Sequence, residues 1–80
     1  MDILLELQEI FREVFEDDSI ILSYETTSED IEDWDSLAQM QLIMEIEKKY
    51  KIRFSVKDIE NAKNVGEFVK LVERYLSERG

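Results

Sequence analysis

Trp34-Asp35-Ser36-Leu37-Ala38-Gln39-Met40-Gln41-Leu42-Ile43-Met44-Glu45-Ile46-Glu47-Lys48-Lys49-Tyr50 is the stretch on which the reading of this 80-residue chain turns. At about 100° per residue, Leu42, Ile43, Ile46 and Tyr50 share one arc, the natural core face of a helix from about Ser36 to Tyr50. Leu37, Met40 and Met44 lie in a nearly opposite arc. A helix in a small bundle cannot bury both faces in one core, so these three are expected at the surface beside Gln41, Glu47 and Lys48. Exposed Met and Leu make an adaptable contact patch, because methionine repacks readily against different partners.

Ser36 opens that helix. Its hydroxyl is expected to be exposed on the first turn, flanked by a carboxylate and an apolar side chain, where a bulky group could be attached without disturbing a core. The spacing Ser36-x-x-Gln39 also fits a capping box, and a plain N-cap serine is the commoner case. Ser36 has no catalytic apparatus of its own. The chain contains no histidine and no cysteine, and its two glycines, Gly66 and Gly80, make no nucleophile turn or phosphate cradle. If this serine reacts, another enzyme must activate it.

Outward from this segment, the apolar residues Ile3, Leu7, Ile10 and Val14, widened by Leu4, Phe11 and Phe15, predict a first helix. Asp17 to Asp35 shows no period and carries eight acids and no base in nineteen residues. A connection of that length is usually functional or disordered, and here Ile20, Ile21, Leu22, Ile31 and Trp34 argue that it is packed down. Ser55-Val56-Lys57-Asp58 is a capping box opening a brief helix to about Asn61. Asn64 caps a last helix whose stripe is Val65, Phe68, Val69, Val72, Tyr75 and Leu76, with Arg74 and Arg79 toward its negative end. Lys51 to Ser55 alternates like a strand but is too short and partnerless for a sheet. The expected fold is all-α: a four-helix bundle of three major helices and one short one, with a long first loop, forming a single domain over residues 1–80.

The net charge of −10 is unevenly placed, with fifteen acids and one base in residues 1–47 against five acids and nine bases beyond. Nucleic acid and anionic lipid would be repelled by the acidic part, and the charge serves either solubility alone or steering toward basic partner proteins. Glu29, Asp30, Glu32, Asp33 and Asp35 lack the glycine and terminal glutamate of a calcium loop, so no dedicated metal site is expected. No apolar run reaches the roughly 20 residues that span a bilayer. The Met1-Asp2 start has no positive leader, and the expectation is a soluble cytoplasmic monomer.

Asp35-Ser36-Leu37 opening an amphipathic helix, after a long loop and an acidic first helix, resembles the acyl carrier protein family over nearly the whole chain. Ile31 to Leu37 is similar to the Trp-Asp-Ser-Leu version found in free-standing carriers, and Leu42 to Tyr50 matches the family's second helix in pattern. The resemblance implies a carrier and not an enzyme. Ser36 would be the attachment point for 4′-phosphopantetheine, transferred from coenzyme A by a magnesium-dependent phosphopantetheinyl transferase. Asp35 would orient that modification. Leu37 would anchor docking enzymes, with Met40, Gln41, Met44, Glu45 and Glu47 completing the face, and Leu42, Ile43 and Ile46 would border any acyl shelter. Partners would be that transferase, acyl- or aminoacyl-activating ligases, and acyl-transferring or condensing enzymes. Fatty-acid-type carriers usually place glycine where this chain has Trp34, and acids where it has Ala38, Gln41 and Lys48. An aminoacyl or peptidyl carrier of a specialised pathway therefore stays open, as does an unmodified helical adaptor binding through Leu37, Met40 and Met44.

Overall fold

The structure, a computed structural model, describes residues 2–79, the side chain of Arg79 excepted. Four helices follow in order: α1 (Ile3–Phe15), α2 (Ser36–Tyr50), α3 (Val56–Asn61) and α4 (Val65–Arg79). No strand occurs among the described residues. Met1, Gly80 and the Arg79 side chain, all named above, lie outside the described residues.

α1 packs against both α2 and α4. It starts where Asp2 accepts a hydrogen bond from the Leu5 amide, and it ends at Glu16, which adopts the left-handed conformation with φ 51°. Its core face is Ile3, Leu7, Ile10 and Phe11. Side chains as fully buried as Leu7 and Phe11 contribute about 1.5–3 kcal/mol each. Glu6, half-buried on the flank of this face, accepts a hydrogen bond from the Tyr50 hydroxyl at 2.5 Å. Burial, and then this carboxylate, push the Tyr50 phenol well above its ordinary range.

The long connection is fastened to α1. Arg12 Nε donates to Ile20 O at 2.9 Å and the Leu22 amide donates to Gln8 Oε1 at 2.9 Å. Leu22 is buried, and Ile20, Ile31 and Trp34 are half-buried against the core. Ile21 departs from expectation, with 80% of its surface exposed. Exposure alternates along this segment, with Ile20 half-buried, Ile21 outward and Leu22 in the core.

The same connection closes the start of α4. The Val65 amide donates to Thr26 O and the Gly66 amide to Tyr24 O, both at 2.9 Å, while Asn64 Oδ1 accepts from the Glu67 amide. The backbones meet closely enough that a Cβ on Gly66 would lie 2.8 Å from Tyr24 O. Val65, Phe68, Val69 and Val72 are buried beneath, and Tyr75 and Leu76 are only half-buried.

At the other end of α2, Lys51 adopts the left-handed conformation with φ 56° and turns the chain. Ile52 and Phe54 alternate into the core without making a strand. α3 begins at Ser55, whose hydroxyl accepts from the Asp58 amide, and none of its side chains is fully buried. It is tied to α4 by Asp58, which accepts from the Tyr75 hydroxyl and from Arg74 Nη2. Arg74, expected to serve the helix dipole, is committed to this knot. The Tyr75 hydroxyl, then the Arg74 guanidinium, hold the Asp58 carboxyl below its ordinary range.

Candidate functional site

The start of α2 departs from the capping-box reading in an informative way. Asp35, not Ser36, is the N-cap. Its backbone is extended (φ −108°, ψ −170°), its Oδ1 accepts from the Ala38 amide at 2.9 Å, and its carbonyl accepts from the Gln39 amide at 2.8 Å. A carboxylate is the stronger acceptor for a helix's first amides, since it also complements the positive end of the dipole. Ser36 is therefore the first helical residue. It is exposed, and its hydroxyl enters no hydrogen bond among the described residues.

Gln39, the supposed capping partner, is used elsewhere. Its Oε1 accepts from Trp34 Nε1 at 2.6 Å, and the Trp34 ring stands edge-on to Phe11 with centroids 5.1 Å apart. Trp34 is thus turned against α1 and α2, which fixes the approach to Ser36 without covering it. An open groove of about 490 Å³ lies beside the serine, bordered by Trp34, Asp35, Gln39 and Met40 on one side and by Ser28, Ala62 and Lys63 on the other. Positions 28, 62 and 63 escaped the sequence reading, because nothing in the local pattern brings them to Ser36.

α2 separates its two faces as the periodicity requires. Leu42, Ile43, Ile46 and Tyr50 are buried, together with Ala38, while Leu37, Met40 and Met44 are exposed by 66%, 63% and 62%. Gln41, Met44 and Glu45 border a second open groove of about 320 Å³ with Glu13 and Val14 of α1. Glu47 differs from the other expected docking residues. It is half-buried, as Glu45 is, but its Oε2 accepts from the Phe54 amide at 2.8 Å and it secures the turn after α2. Ala38 also bears on the cargo question. Its side chain is buried against the core side of α2 rather than lying on the exposed face.

Among the described residues, no cluster of acids is arranged to hold a metal ion, and no helix is long and apolar enough to cross a membrane. Chemically, the site offers one uncommitted hydroxyl, held at a capped helix start, beside an open groove and an exposed apolar face. These features fit covalent attachment of an extended group at Ser36.

Residues 5–72 match the family described as a phosphopantetheine attachment site. The acyl carrier protein of Brachyspira hyodysenteriae is 44% identical over 41 residues, a match that covers 51% of this chain and 53% of that protein. The chain thus aligns with about half the length of this curated relative. The solution structure of the holo acyl carrier protein from Geobacter metallireducens is similar throughout, with a TM-score of 0.93 and 46% identity over 99% of this chain and 91% of that one.

Proposed function

We propose that this chain, which belongs to the acyl carrier protein family, is a carrier that presents acyl groups from Ser36 to the enzymes of a biosynthetic pathway. Covalent 4′-phosphopantetheine is the cofactor of this family. When bound, it supplies the thiol that this cysteine-free sequence lacks. The observation that carries the assignment of Ser36 is the division of labour at the helix start, where Asp35 satisfies the Ala38 amide and leaves the neighbouring hydroxyl free.

The remaining residues have roles that their chemistry supports. Asp35 holds the helix start rigid, so the point of attachment is fixed relative to the docking face. Leu37, Met40 and Met44 offer an apolar patch beside it, Gln41 adds a neutral polar edge, and Glu45 with the acids of residues 1–35 supplies charge that attracts basic surfaces. Glu47 acts mainly by holding the turn after α2. The chain carries and does not catalyse, working in the cytoplasm with a phosphopantetheinyl transferase, acyl-activating ligases, and acyl-transferring or condensing enzymes. Tethering raises the effective concentration of cargo at each docked enzyme.

Thiol titration tests the reading cleanly, because the polypeptide contributes no background. After incubation with coenzyme A, magnesium and a broad-specificity transferase, the wild type should present one maleimide-reactive thiol per chain and Ser36→Ala none. Supplying the loaded protein with fatty-acyl and aminoacyl ligases in parallel then identifies the cargo. A wild type that stays thiol-free while binding partners through Leu37, Met40 and Met44 would make it an adaptor instead.

A further inference from the structure

The attachment serine lies in the most acidic part of the chain, and a phosphodiester there adds one more negative charge. Asp33 and Asp35 are its sequence neighbours, and residues 1–47 contain a single base, Arg12. Arg12 is already committed, donating to Ile20 O and pairing with Glu9. The fold nevertheless brings one cation to the groove beside Ser36. Lys63, from the link between α3 and α4, borders the same 490 Å³ space as Ser36, and the only acid lining that space is Asp35.

Lys63 is well placed to act there. The two ion pairs among the described residues, Arg12–Glu9 and Arg74–Asp58, leave it uncommitted. Its backbone is pinned on both sides. The Ala62 amide donates to the carbonyls of Asp58 and Ile59, and Asn64 caps α4 through the Glu67 amide. The ammonium therefore swings from a fixed point. Across the groove, the first turn of α2 contains no acid, which keeps the positive end of that helix unopposed apart from its cap.

We propose that Lys63 is a positioning residue that pairs with the phosphodiester of a group attached at Ser36, drawing the arm over the groove toward Ala62 and away from the acidic loop. The inference rests on the assignment of Ser36 as the attachment point. A lysine acts here as a point charge on a flexible stem, so charge matters more than donor geometry, and arginine should substitute.

The test compares amide NMR spectra of apo and holo protein for the wild type, Lys63→Ala and Lys63→Arg, with the mass gain verified first for each. In the wild type, attachment should shift the amides of residues 62–64 as well as those around Ser36. Lys63→Ala should lose the shifts at positions 62 and 64 and keep those around Ser36, while its apo spectrum stays that of the folded bundle. Lys63→Arg should restore them, and salt at about 1 M, where the screening length falls to about 3 Å, should weaken them in the wild type. Shifts at 62 and 64 that persist in Lys63→Ala, or a loaded wild type without them, would overturn the role of Lys63 and leave Ser36 intact. A wild type with no mass gain would instead overturn the attachment reading on which it rests.

Discussion

The two helix starts at α2 and α4 use similar chemistry to opposite ends. Each has a side-chain cap, Asp35 on the Ala38 amide and Asn64 on the Glu67 amide. The start of α4 is then sealed, because the loop carbonyls of Thr26 and Tyr24 take the Val65 and Gly66 amides and Tyr24 lies against Gly66. The start of α2 is left open, with Ser36 exposed beside a groove. One acidic loop accomplishes both, closing the first structurally essential end and presenting the second. A capped but uncovered helix start is rigid and accessible together, which a covalent attachment point requires.

The largest expected contrast lies just beyond the two caps. Phe68→Ala, within the sealed end, should cost about 3–5 kcal/mol, whereas Leu37→Ala beside Ser36 should stay within about 0.5 kcal/mol. Urea denaturation of both variants measures the difference, and similar losses would erase the distinction between closed and open ends. Gly66→Ala should cost about 1–3 kcal/mol, because the Tyr24 carbonyl must move away from the added methyl. A neutral result would mean that the loop does not press on α4. Removing the caps should be closer to equal: Asp35→Ala and Asn64→Ala should each cost about 1 kcal/mol, read from thermal midpoints.

The smallest effect concerns the knot that holds α3 to α4. The folded Asp58 pKa lies below its unfolded value near 3.8, so this contribution is complete above that value and is lost as pH falls through the folded pKa. Asp58→Asn should therefore flatten the acid limb of the stability profile and leave its slope near pH 7 unchanged. An acid limb as steep as that of the wild type would assign it to other carboxylates.

Much of this architecture was legible because it is local. The helical period of Leu42, Ile43, Ile46 and Tyr50 against that of Leu37, Met40 and Met44 defined α2 and both its faces, and Ser55 and Asn64 announced the helices they cap. The ambiguity came where two capping residues stand side by side. In Asp35-Ser36 the spacing to Gln39 favoured the serine, and only the geometry shows the carboxylate reaching Ala38 and Gln39 turned to Trp34. Contacts across long separations were out of reach for the same reason. Nothing near Gly66 reveals that Tyr24 lies against it, nothing near Glu6 points to Tyr50, and nothing near Lys63 joins it to Ser36. Ile21 and Leu22 are alike in character, and only the register of an irregular loop decides which one is buried.

The most direct test of the account is the intact mass of wild type and Ser36→Ala after treatment with coenzyme A, magnesium and a phosphopantetheinyl transferase. A single phosphopantetheine-sized gain in the wild type, absent from Ser36→Ala, is the predicted result. A gain that survives in Ser36→Ala, or none in the wild type with several transferases, would contradict it.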